Sequence, residues 1–246
     1  MTSETLYEHP LNEQVRVYLR LEHLLRQISH ASSLSESYYS NVFLKSLFDL
    51  IEILEQIQIK TELAKDLDKQ RAKLQAWLNV PEVDKDQLVT LLTESRQLQR
   101  DLLQAPRLGQ EIRENRFLSS IRQRFSIPGG TCSFDLPALH HWHNLPIAHR
   151  QSDALAWQLS LKPLSHALSF WLRLTRGSAT MQPFTIHTGF FQKEVIGASL
   201  LRIQISPDYN VFPLVSGHKS RFSIRFMPFD DRQTIADTMV LYLSVC

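Results

Sequence analysis

The sequence predicts an α+β protein, an N-terminal multi-helix bundle domain joined to a smaller C-terminal antiparallel β-sheet domain, and three observations predict it. All seven glycines (Gly109, Gly129, Gly130, Gly177, Gly189, Gly197 and Gly217) stand at or beyond position 109, so the first hundred residues lack the residue that best relieves tight turns. In that stretch apolar residues recur at three- and four-residue spacing, the period of a helix face; beyond Gly177 they alternate instead. The 246 residues, 43% hydrophobic and 21% charged, are enough to bury a core of ordinary composition.

Leu11, Val15, Tyr18, Leu21, Leu25 and Ile28 make one apolar stripe of a first helix. The serine-rich stretch from Ala31 to Ser40 reads as a connection, and Ser33 with Glu36 has capping-box spacing for a second helix running to about Leu54. Residues 60 to 79 repeat the pattern through Leu63, Leu67, Leu74, Trp77 and Leu78 until Pro81 interrupts it. Asp84 and Gln87 have capping spacing for a helix through Leu88, Leu92 and Leu102, which Pro106 ends. Ile112, Phe117 and Ile121 continue as a fifth pattern to about Arg124. After the turn at Pro128-Gly129-Gly130, shorter patterns cover about Pro137 to Asn144, Ser152 to Leu159 and Pro163 to Arg176. Phe184, Ile186, Leu201, Ile203, Ile205, Phe222, Ile224, Phe226, Val240 and Tyr242 then mark strands of a small antiparallel sheet. The expected division is a mainly helical domain over 1–177 and a β-strand domain over 178–246, with residues 1–10 a candidate extra strand.

Several function classes lose support from composition. No run approaches the roughly 18 apolar residues of a membrane span, and Glu4 and Glu8 spoil a secretory signal. A cytoplasmic location without membrane attachment is the expectation. Cys132 and Cys246 are too few and too far apart for a disulfide framework or a thiolate metal site. A net charge of +2 is low for a protein that coats nucleic acid. Local clustering must therefore carry any electrostatic role.

Such a cluster occurs in Arg221-Phe222-Ser223-Ile224-Arg225-Phe226. Alternation sends Phe222, Ile224 and Phe226 to one face of a strand and Arg221, Ser223 and Arg225 to the other. His218 and Lys219 precede them, and no acidic residue lies between Asp208 and Asp230. A solvated outer face is one reading. Surface ion pairs are worth at most about 1 kcal/mol, so stability explains the unpaired cations poorly and an anionic partner explains them better. Arg107, Arg113, Arg116, Arg122 and Arg124 form a second basic region against Glu111 and Glu114; Arg113 and Arg116, three apart, are expected on one helix face.

Catalytic signals are poor. His140-His141-Trp142-His143 resembles a metal cluster, but Cys132 and Asp135 stand at spacings that match no zinc motif. In Gly217-His218-Lys219-Ser220 a histidine intrudes before the lysine of a phosphate loop, and Phe212 occupies the place of its first glycine. The expectation is no enzyme, no cofactor and no metal. A nucleic-acid-binding or a metal-dependent cytoplasmic protein stands as the alternative.

Tyr7-Glu8-His9-Pro10-Leu11-Asn12-Glu13, the block from Arg122 to Pro137 and the block from Ser216 to Pro228, together with Lys60 to Leu63 and Ala105 to Gln110, resemble the ZapD family of bacterial cell-division factors across nearly the whole chain. The resemblance implies a homodimer that binds the C-terminal tail of the tubulin-like protein FtsZ, cross-links and bundles its filaments, and so stabilises the division ring at mid-cell. It also implies partner-binding roles for Arg20, Arg116, His140, Lys219, Arg221 and Arg225. Departures from the family pattern fall at Glu55 to Gln58, where related sequences can carry an extra arginine, and at Phe191 to Ser199.

Overall fold

Apolar periodicity and punctuation by proline and glycine set the elements. The structure, a computed structural model, describes the chain apart from residues 1–3, 35, 82, 219, 231 and 233 and the side chains of Ser37 and His218. Helices α1 (Glu13–Ala31), α2 (Ser37–Gln56), α3 (Ile59–Trp77) and α4 (Lys85–Gln104) precede the shorter α5 (Gln110–Glu114), α6 (Arg116–Arg122) and α7 (Pro137–His143), then α8 (Ile147–Ser160) and α9 (Lys162–Arg176). Strand β1 (Thr5–Pro10) comes before α1. The strands β2 (Gln182–His187), β3 (Phe190–Glu194), β4 (Leu200–Ile205), β5 (Val211–His218), β6 (Arg221–Pro228) and β7 (Thr238–Val245) follow α9. The fold is α+β.

Two compact units make up the chain, one of Met1–Leu19 with Leu172–Cys246 and one of Arg20–Trp171. They part inside α1 and α9.

In the helical unit, Asp84 caps α4 by accepting from the Gln87 amide at 2.9 Å, as its spacing predicts. Ser33 does not cap α2. Glu36 holds that position in extended conformation and makes no side-chain cap. The single helix expected over 112–124 is broken at Asn115, whose extended backbone ends α5 and whose side chain accepts from Leu118 N at 3.0 Å to start α6. An aromatic group of buried Phe43, Trp142 and Trp157 with the partly buried Phe117, ring centroids 5.5–6.3 Å apart, joins α2, α6, α7 and α8.

The other unit contains two antiparallel sheets rather than the one expected, in orders β1-β4-β7-β2 and β3-β6-β5. Thr188 and Gly189, both at positive φ, turn the chain from β2 into β3, and the two strands enter different sheets. One core of Ile203, Ile205, Phe222, Ile224, Phe226, Leu241 and Leu243 is shared by both. Among its polar features, Glu8 of β1 accepts from Arg176 at 2.8 and 2.6 Å and from Arg202 at 3.1 Å.

Candidate partner-binding site

Strand β6 owes its two-sided character to alternation. Phe222, Ile224 and Phe226 are at most 1% exposed, while Arg221 and Arg225 are exposed on the opposite face. Opposite Phe222 stands Gly217 of β5. A Cβ there would lie 2.8 Å from Leu11 Cδ2 and 2.9 Å from Phe222 Cβ, so only glycine lets β5 close over this part of the core.

Directly paired residues of antiparallel strands share a face, and the register therefore maps the outer surface. Arg225 is flanked by Phe190 of β3 and Leu214 of β5, exposed by 46% and 51%. Ser223 is flanked by Gln192 and Ser216, and Arg221 by Glu194. Phe212, also exposed, pairs with Met227 at the next step. The face thus runs from a polar, basic end to an apolar end with a guanidinium in its midst. Among the described residues, neither Arg221 nor Arg225 forms an ion pair; Glu194 is Arg221's neighbour in register without being its salt-bridge partner. Lys219 lies outside the described residues.

Phe190, Phe212 and Leu214 were not singled out by sequence. Their role as neighbours of Arg225 depends on which strands flank β6 and in what register. The alternation Phe212-x-Leu214 was the available signal.

Arg20, Arg116 and His140 belong to the helical unit. All are exposed, on α1, α6 and α7 respectively. Helices α6 and α7 meet through Phe117 and Trp142, whose rings are 5.5 Å apart. Arg116 is the first residue of α6, where a cation opposes the helix dipole; helix stability does not account for it.

The second basic region is divided by the structure. Arg122 makes a two-pronged ion pair with Glu55 of α2, at 2.8 and 2.9 Å, and Arg124 approaches Asp135 at 3.8 Å. Because the break at Asn115 separates α5 from α6, Arg113 and Arg116 do not share a helix face as the spacing suggested. Glu55 is held below the usual carboxylate range by the hydrogen bond from Arg122, with Arg113 and Arg107 contributing charge.

His140 and His141 are exposed and His143 is half-buried. Burial lowers the pKa of His143, helped by Arg150 and His140. Among the described residues, no three His, Cys, Asp or Glu side chains gather into an arrangement that could hold a metal ion. No helix of the described residues is long and apolar enough to cross a membrane. The chemistry on offer at β6 is charge-assisted hydrogen bonding beside apolar contact.

Comparison with known proteins agrees over the same elements. The family model ZapD, described as a cell division protein, matches residues 19–225. Cell division protein ZapD of Photobacterium profundum is 55% identical over 240 residues, 98% of each chain. The proteins of that name from Vibrio vulnificus and Aliivibrio fischeri are 52% and 46% identical over 240 residues, each covering 98% of this chain. A match of this extent places the chain in the ZapD family of cell division proteins.

Proposed function

We propose that this protein is a non-enzymatic cytoplasmic factor that acts at the mid-cell division site by binding the C-terminal tail of FtsZ, and that its homodimer cross-links and bundles FtsZ filaments to stabilise the division ring. The observation that carries the reading is the outer face of β6, where Arg221 and Arg225 are exposed, lack ion-pair partners among the described residues, and adjoin Phe190 and Leu214. Arg20, Arg116, His140 and Lys219 are proposed to extend the contact.

A flexible tail loses conformational entropy on binding, so charge alone holds it poorly and apolar anchoring is needed as well. This face offers both. Guanidinium groups donate to carboxylates in a planar fork and lose less freedom per bond than an ammonium does. The field of the basic residues speeds encounter with an acidic filament and weakens with salt, whose screening length is about 8 Å at physiological strength. Each site alone can be weak. Two of them on one dimer raise avidity by roughly 10² to 10⁴ when both engage.

Replacing both arginines, Arg221→Glu with Arg225→Glu, tests the site. Their side chains stand outside the core, so the variant is expected to keep the wild-type circular dichroism spectrum and unfolding midpoint while losing co-sedimentation with FtsZ filaments. Undiminished co-sedimentation by the folded double variant would refute the assignment. Displacement of FtsZ by any polyanion, with a steep salt slope, would favour nucleic-acid binding instead.

A further inference from the structure

The sheet orders leave four strand edges without a neighbour, β1 and β2 in one sheet and β3 and β5 in the other. Parity decides which backbone groups point out of each, because alternate residues of an antiparallel strand hydrogen-bond to the partner. Cys246 N donates to Leu200 O, so the even residues of β4 serve β7 and the odd ones serve β1, which turns Pro10 of β1 outward. Thr188 N donates to Asp237 O and Phe229 N to Asn210 O; the same count turns Pro183 of β2 and Pro213 of β5 outward. A proline there offers no N–H, and such an edge resists pairing with a further strand.

Strand β3 is the exception. Phe226 N donates to Gly189 O at 2.8 Å and Val195 N to Ser220 O at 2.9 Å, so its odd residues serve β6 while Phe190, Gln192 and Glu194 turn their N–H and C=O groups out of the sheet. All three residues are exposed, and among the described residues nothing hydrogen-bonds to those groups. A cavity of about 440 Å³ opens beside this edge, lined by Phe184 of β2, Lys193 of β3, Phe222 of β6 and Leu243 and Val245 of β7. Lys193 pairs with Phe222 and shares its inner face. The Lys193 Nζ stands 5.4 Å from the centre of the Phe184 ring, and among the described residues it has no carboxylate partner.

We propose that the free edge of β3 takes up an acidic peptide segment as an added strand, with an inward-facing carboxylate on Lys193 and an inward-facing apolar side chain in the cavity beside Phe184, and that the FtsZ tail is held in this form. The proposal rests on the reading of that tail as partner. Strand addition draws affinity from main-chain hydrogen bonds and selectivity from pockets for alternate side chains, and this edge supplies both. Charge selects the occupant. Lys193 lies unpaired on the inner side, and Arg225 lies on the outer side about 10 Å from the added strand, two strand spacings away, within reach of an acidic side chain leaning across Phe190. A second copy of this chain fits worse, since antiparallel pairing of β3 with itself about Gln192 sets Phe190 against Glu194 and Phe191 against Lys193.

Fluorescence anisotropy of a labelled FtsZ tail peptide with the full chain tests it. Gln192→Pro removes one outward N–H, as Pro183 and Pro213 already do on their edges, and is expected to weaken binding at least tenfold, whereas Gln192→Ala is expected to leave it within about twofold. Lys193→Glu is expected to weaken it about tenfold, a contact of about 1.4 kcal/mol. Tail peptides N-methylated at one residue at a time probe the wild-type chain and serve alone should Gln192→Pro fail to fold: methylation is expected to abolish binding at alternate positions only. Binding that is unchanged in folded Gln192→Pro, or a methylation series without that alternation, would refute strand addition and leave tail binding through Arg221 and Arg225 standing. A Gln192→Pro variant that changes sedimentation coefficient yet binds the peptide as before would assign the edge to contact between copies and overturn the proposal. No binding of the tail to the wild-type chain would refute both readings.

Discussion

Glu8 carries the heaviest electrostatic duty of any single residue described. Its carboxylate serves two guanidiniums, Arg176 and Arg202, and all three side chains are about four-fifths buried. Removing it leaves two partly buried cations facing each other, so Glu8→Gln is expected to destabilise the fold by about 2–4 kcal/mol, read as a lowered urea midpoint at unchanged slope. A smaller loss belongs to proton uptake. Burial lowers the pKa of His9 and of His143 from their ordinary value of 6.5, with Arg16 and Arg150 adding to it respectively. A folded pKa below the unfolded one means that the unfolded chain takes up the proton more readily. The stability these residues confer is therefore complete above pH 6.5 and lost as pH falls below it. Urea unfolding at pH 7.5, 6.5 and 5.5 is expected to show that decline, and His9→Gln with His143→Gln is expected to flatten it. At this scale the sequence is readable where the information is local: alternation alone puts Arg221 and Arg225 outward. Glu55 and Arg122 are 67 positions apart, and no spacing rule links them.

Elements were legible in proportion to how much of their signal was their own. Helices α3 and α4 have long apolar periods, a cap at Asp84 and proline beyond their ends, and the structure ends them near those marks. Breaks that depend on one backbone angle were not visible. Asn115 interrupts a continuous apolar pattern because its side chain satisfies the Leu118 amide better than another helical turn would. Asn115→Ala is expected to cost about 1 kcal/mol in denaturant unfolding, the usual worth of a side-chain cap. Long-range support was equally hidden: Gln158, Gln151 and Arg150 of α8 donate to the carbonyls of Ile28, Ser33 and Leu34 at 3.2, 2.9 and 3.2 Å, closing off the carbonyl end of α1 and the loop after it. Those acceptors are main-chain atoms, invisible to residue type. Gly217 shows the same limit in the sheet. Gly217→Ala is expected to destabilise by about 1–3 kcal/mol, since its Cβ would press on Phe222 and Leu11, and thermal unfolding will measure it.

At the scale of the whole molecule, the change from helical to alternating period announced an α+β chain, and the family resemblance covered it almost end to end. The split into two sheets was not announced, because it rests on which distant strands pair, β2 with β7 and β3 with β6, and alternation along the chain does not encode that choice. Valency belongs to this scale too. On the proposed mechanism, bundling needs two tail sites per particle while tail binding needs one. The most direct measurement is therefore sedimentation of FtsZ filaments, intact or with the C-terminal tail deleted, in the presence of this protein. The proposal predicts that intact filaments are drawn into bundles that pellet together with the protein, and that tail-less filaments leave it in the supernatant. Equal bundling of both kinds of filament would contradict it.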